Sequence, residues 1–127
     1  EAIACFTKAI ETNPKSAENY NNRAAAYQKK GNIDKAISDF SKAIELNPSY
    51  VQAYFGRGVC YANKSMIDEA IADLSNAIKL DSENAETYYV RATLYAAKGQ
   101  KDKAWADVKA AEALGKKIDK LFLKELK

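Results

Sequence analysis

The chain contains no histidine among its 127 residues. The side chain that most often moves protons near neutral pH and ligates zinc is therefore missing. Catalysis would have to rest on carboxylates, lysines, cysteines or serines, and no catalytic spacing joins those groups. An enzyme is not expected, nor a metal or other cofactor. Cysteine is nearly as scarce. Cys5 and Cys60 lack the even, close spacing of a disulfide framework or a zinc knuckle, and both read as small buried hydrophobes. No apolar run approaches the roughly 20 residues of a membrane span. Nothing near Glu1 resembles a signal peptide, so a soluble, cytoplasmic chain without a membrane partner is expected. The absence of an initiator Met implies residues upstream. Charge of one sign is not in excess either, with 20 basic residues against 17 acidic and a net charge of +3, which argues against disorder by self-repulsion. The lysines crowd towards one end, where residues 98 to 127 hold nine against five acids, a net of +4. Acids interleave with them, so this end reads as a solvated surface, with nucleic acid not expected as a partner.

What is present is a period. Tyr20, Tyr54 and Tyr88 stand 34 residues apart, as do Tyr27, Tyr61 and Tyr95, and Arg23, Arg57 and Arg91. A further ladder runs one unit further back through Ala2, Ala36, Ala70 and Ala104, followed four residues later by Phe6, Phe40, Leu74 and Val108. A fixed period of this length marks a stack of supersecondary units, each too small to bury its own apolar face. Tyr20, Arg23, Ala24 and Tyr27 share one face of a first helix. Gly31 ends that helix, Asp34 opens a second with Ala36, Phe40 and Ala43 along one stripe, and Asn47-Pro48 stops it.

The pattern Tyr20-x2-Arg23-Ala24-x2-Tyr27, Ala36-x3-Phe40, Ala43 and Pro48 resembles the tetratricopeptide repeat (TPR) family at the family's own spacing. The resemblance covers 17–50, 51–84 and 85–118 as full repeats, with 1–16 as the second helix of a truncated one. It implies an all-α, right-handed superhelical solenoid of antiparallel helix pairs. The third repeat departs from the pattern at Lys101, Glu112, Gly115 and Lys116. Beyond it Ile118, Leu121, Phe122 and Leu126 recur at helical spacing, so 119–127 is expected to be a C-terminal capping helix, with Trp105 packed beneath it.

The tyrosine ladders lie on the stripe of small helix-contact residues and read as core rather than as base-stacking platforms. Each arginine has an aspartate sixteen residues on, Asp39, Asp73 and Asp107, which suits a structural ion pair better than an anion site. Sequence leaves open whether it closes within a repeat or between repeats. Gly56-Arg57-Gly58 lacks the strand-to-helix setting of a phosphate loop, and Gly58 aligns with Ala24 and Ala92 as a small contact residue. Function is then expected on the other side of each first helix, which in this family forms a concave groove. Advancing about 100° per residue assigns Glu18, Asn21, Asn22, Ala25 and Gln28 to it, then Gln52, Phe55, Gly56 and Val59, then Glu86, Tyr89, Val90 and Thr93. Phe55, Val59, Tyr89 and Val90 are apolar there, flanked by Asn21, Asn22 and Gln52, as at a protein-binding patch. The competing reading is that neighbouring first helices bury them against one another.

Some family members hold a partner's C-terminal carboxylate in a clamp of Lys, Asn and Arg. Asn22 fits its middle place, but Gln52 and Gly56 stand where Lys and Arg should follow, and a shift of one repeat does no better. The resemblance therefore implies a protein- or peptide-binding scaffold without that clamp. The alternative is the C-terminal targeting or regulatory arm of a larger enzyme or regulator. Ala2, Phe6 and Ala9 leave an apolar stripe that upstream residues or self-association through the N-terminal helix would cover.

Overall fold

The structure, a computed structural model, describes residues 1–127 and consists of eight α-helices without a strand. They are α1 Ala2–Thr12, α2 Ala17–Lys29, α3 Ile33–Leu46, α4 Val51–Asn63, α5 Ile67–Leu80, α6 Ala85–Ala97, α7 Lys101–Ala113 and α8 Lys120–Glu125. Helices α1 to α7 pack mainly on their neighbours in sequence, closest within the hairpins α2/α3, α4/α5 and α6/α7. The result is a solenoid whose first helices start at Ala17, Val51 and Ala85. No helix is long and apolar enough to cross a membrane.

The hairpin turns follow from one backbone device. After α2, α4 and α6 the chain enters the left-handed region at Gly31 (φ 81°), Ser65 (φ 62°) and Gly99 (φ 77°). The next amide then reaches back, Asn32 to the Tyr27 carbonyl, Met66 to Tyr61 and Gln100 to Tyr95, each at 2.9 Å. This satisfies carbonyls that a helix end would leave orphaned. Ser65 is the one non-glycine in the set, and a left-handed conformation costs an L-residue about 1–2 kcal/mol. Glycine loses more chain entropy on folding, so Ser65→Gly should stabilise by about 0.5–1 kcal/mol net. Urea melts of the two proteins test this, and an unchanged or lower midpoint would contradict it.

Second helices end differently. α3 and α5 stop at extended residues, Asn47 (φ −143°) and Asp81 (φ −146°). α7 stops at Gly115 (φ 96°), with the Lys116 amide returning to the Ala111 carbonyl. The departure read in the sequence at Gly115 and Lys116 is thus a first-helix type of turn placed after a second helix. Asp34 does not open α3. Asn32 holds the N-cap position, while Asp34 lies inside the first turn and pairs with Lys64 of the following hairpin.

The core is a row of three clusters. The first gathers Ala24, Ala36, Phe40, Ala43, Ala53 and Cys60, the second Ala70, Leu74 and Leu94, and the third Ala92, Ala104, Val108, Ala111, Ile118 and Leu126. Alanines at the crossing points let helix axes approach closely, so one large side chain per hairpin fills the remaining space. Ala36, Ala70 and Ala104 are fully buried, whereas Ala2 in the same row is exposed because no first helix lies over α1. Cys60 behaves as the small buried hydrophobe expected, and burial pushes its thiol up to about 11. Cys5 does not, since it stands on the exposed side of α1. Tyr20, Tyr54 and Tyr88 are half-buried rather than core residues. Tyr20 and Tyr88 pack at the edge of the first and third clusters, and all three tyrosines stand beside a polar neighbour.

Candidate functional site

That neighbour is the arginine ladder. Arg23 forks onto Asp39, Nε to Oδ2 at 2.7 Å and Nη2 to Oδ1 at 2.9 Å. Arg57 repeats this on Asp73 at 2.8 and 2.8 Å, and Arg91 on Asp107 at 2.7 and 2.7 Å. The pairs close within a hairpin, which settles the question the spacing left open. The third nitrogen of each guanidinium points the other way. Nη1 donates to Thr7 Oγ1 (3.3 Å), Ser41 Oγ (3.1 Å) and Ser75 Oγ (3.0 Å), all on the second helix of the preceding unit. Sequence reasoning missed these hydroxyls, although they too recur every 34 residues, sixteen before each arginine. Tyr27, Tyr61 and Tyr95 flank the guanidinium at 5.8, 5.8 and 5.5 Å from ring centroid to Cζ, a cation–π distance. The aspartates are buried and the arginines half-buried. The hydrogen bonds to aspartate, outweighing the opposing desolvation, raise the arginine pKa values. With each guanidinium nitrogen bonded inside the fold, the ladder serves to hold the scaffold.

The opposite side of the first helices carries the residues assigned to the groove. Asn21, Asn22, Phe55, Val59, Tyr89 and Val90 are half-buried, and Gln52 is exposed. They do not form one uniform surface. Asn21 faces Tyr50 at the start of α4, and its side-chain oxygen is buried without a hydrogen-bond partner. Burial first, and then the charge of Glu18, raise the Tyr50 pKa. Asn22 and Ala25 line a hollow of about 250 Å³ with Ala2 and Phe6 of α1, so the N-terminal stripe continues into this row. Phe55 and Val90 pack on the cluster of Ala70, Leu74 and Leu94. Tyr89 meets Phe122 of α8 edge-on, centroids 5.8 Å apart, with the Lys116 ammonium 5.0 Å from its centroid. Inter-repeat packing therefore claims part of Phe55, Tyr89 and Val90.

Gly56 needs a correction. It is buried beneath the Phe40 ring, and a Cβ on it would lie 2.3 Å from the ring's tip, so it lies in the packed interior. Gly58 is, as expected, a contact residue, where a Cβ would lie 3.2 Å from Leu74 Cγ.

What stays open is a pair of hollows near the starts of α4 and α6. One, of about 270 Å³, is lined by Val51, Gln52, Phe55, Asp81 and Asn84. The other, of about 630 Å³, shares Asp81 and Asn84 and adds Glu83, Glu86, Leu114 and Lys116. Leu114 is 41% exposed.

Similarity to known proteins follows the same outline. A profile described as tetratricopeptide repeat matches residues 17–50 and 51–84, and one described as TPR repeat matches 1–31. Among solved structures, YrrB, described as a TPR protein with an unusual peptide-binding site, is 32% identical with a TM-score of 0.82 over 87% of this chain and 57% of its own. MamA is 27% identical with a TM-score of 0.85, over 88% of this chain and 66% of its own. The first TPR of Spaghetti (RPAP3), bound to the HSP90 peptide SRMEEVD, is 30% identical with a TM-score of 0.75, over 76% of this chain and 77% of its own. The chain thus spans somewhat over half the length of YrrB.

Proposed function

Because this chain belongs to the tetratricopeptide repeat family, whose members include scaffolds that bind peptides, we propose that it binds a protein or peptide segment along the open side of its first helices. The observation that carries the reading is the exposure of apolar and amide side chains beside one another where the fold leaves hollows, Phe55 and Val51 beside Gln52 and Asn84. The arginine ladder, by contrast, is spent on internal pairing. In this reading Phe55 and Val59 are the apolar anchors, Asn21, Asn22 and Gln52 supply hydrogen bonds, and Tyr89 and Val90 extend the surface towards α8. The unpaired oxygen of Asn21 is an acceptor that an incoming N–H would satisfy after a small side-chain shift. Nucleic acid, membrane, metal and cofactor have no part in it.

Half-buried aromatics at an interface centre tend to dominate binding energy, so Phe55→Ala should cost about 1–3 kcal/mol of affinity, roughly 5- to 150-fold. Since its ring also packs on the second cluster, this variant should lose some thermal stability as well. Gln52→Ala, at an exposed position, separates the two effects by weakening binding with an unchanged melting temperature. Calorimetric titration with a captured partner, beside thermal melts of both variants, decides the matter. If neither variant binds more weakly than the parent, the partner sits elsewhere.

A further inference from the structure

We propose that the occupant of these hollows is a basic-apolar peptide segment, one that carries a lysine or arginine within a residue or two of a large apolar side chain. This rests on the reading above and names the partner's chemistry.

The argument starts from a local contrast of charge. The whole chain is positive at +3, yet the two adjoining hollows are lined by three carboxylates, Asp81, Glu83 and Glu86, against one cation. That cation, Lys116, is held by Glu86 at 3.2 Å, which leaves Asp81 and Glu83 uncompensated by any charge in the lining. Both come from the exposed α5–α6 loop. The corresponding positions of the preceding loop are Asn47 and Ser49, so the acidity belongs to this junction and not to the repeat as such. Apolar side chains share the lining with these carboxylates, Phe55 and Val51 in the smaller hollow and Leu114 in the larger. Carboxylates beside apolar side chains attract cations and steer their approach, while the apolar neighbours take a partner's apolar side chain out of water. An acidic tail would meet repulsion from the same carboxylates, in keeping with the missing clamp cation at Gln52.

The test is selection of a random 12-residue peptide display library on the 127-residue chain, with parallel selections on Phe55→Ala and on Glu83→Lys. Glu83 is exposed and free of any ion pair, so its replacement should leave folding intact, which circular dichroism checks. The expected result is enrichment of peptides pairing Lys or Arg with Leu, Phe or Trp. Their synthetic versions should bind about 10-fold more weakly to Glu83→Lys and weaken as salt is raised. Enrichment of acidic peptides that still depend on Phe55 would overturn the basic partner and leave the groove standing. Failure to enrich, or peptides indifferent to Phe55→Ala, would remove both. The chain's own lysine-rich α8, with Leu121 70% exposed, is a rival occupant. Salt-sensitive self-association in sedimentation, lost in Glu83→Lys, would assign the hollows to a second copy instead of a separate partner.

Discussion

Phe40→Ala is expected to lower the stability of the chain by about 3–5 kcal/mol, the range for deleting a large aromatic from a packed core. The upper part of that range applies because of what faces the ring. Phe40 is 2% exposed and its tip rests on Gly56, which has no side chain to swing into the space left behind. A cavity that cannot collapse costs more than the lost transfer energy alone. The same contact makes Gly56→Ala unfavourable. The added methyl would intrude on the ring, at a cost of about 1–3 kcal/mol that exceeds the helix propensity of about 1 kcal/mol which alanine brings. One repeat further on, Leu74 stands in the place of Phe40 and Val90 in the place of Gly56, within a single cluster. Phe40→Leu should therefore relieve Gly56→Ala. Urea denaturation of the two single variants and the double variant gives the coupling directly. Strictly additive losses would mean that ring and glycine do not share the space described.

Removing one member of the central ion pair should have an effect of similar size. Asp73→Ala strands the Arg57 guanidinium, 21% exposed, in a site that offers it Ser41 and the Tyr61 ring and no anion. Breaking a buried pair this way costs about 3–5 kcal/mol, and partial hydration of the arginine brings the expectation to about 2–4 kcal/mol. Replacing both partners, as Arg57→Met with Asp73→Leu, should recover much of that loss, since the pair carries its own desolvation cost. Thermal melts distinguish the cases, and a double variant no more stable than Asp73→Ala would argue that the pair itself is strongly favourable. The pH dependence has a definite sign. Arg57 has its folded-state pKa raised, chiefly by the hydrogen bond to Asp73, so its contribution is complete below the ordinary arginine pKa and lost only in stronger base. Melting between pH 6 and roughly 10 should be insensitive to this group.

The architecture was legible because a period of 34 residues records it directly in Tyr20, Tyr54 and Tyr88 and in the alanine row from Ala2 to Ala104. The site was legible only in part. A helical wheel gives the direction in which Gly56 points but not the length of the side chain opposite, and that length puts Gly56 under Phe40. The same limit applies to Tyr89, whose exposure depends on where the chain places Phe122 after the Gly115 turn. The bridging hydroxyls of Thr7, Ser41 and Ser75 were visible as a ladder. Small polar side chains carry little periodic signal of their own, and only the arginine geometry gives them a role. The acidic junction around Asp81 and Glu83 was invisible to a reading of first helices, because it belongs to the loop between units.

Those bridging hydroxyls also set where the stack is slack. At each of three joints a guanidinium grips its own hairpin with two nitrogens and the preceding unit with the third. A tug on one coil is thereby passed to the next. The joint before α8 lacks this clip, since Lys109 occupies the hydroxyl row and Glu125 the arginine row. There α8 rests on Phe122 against Tyr89 and on the seat of Leu126 in the third cluster. Under thermal or mechanical load fraying should start at that last coil and uncover Tyr89, while the clipped units hold their shape.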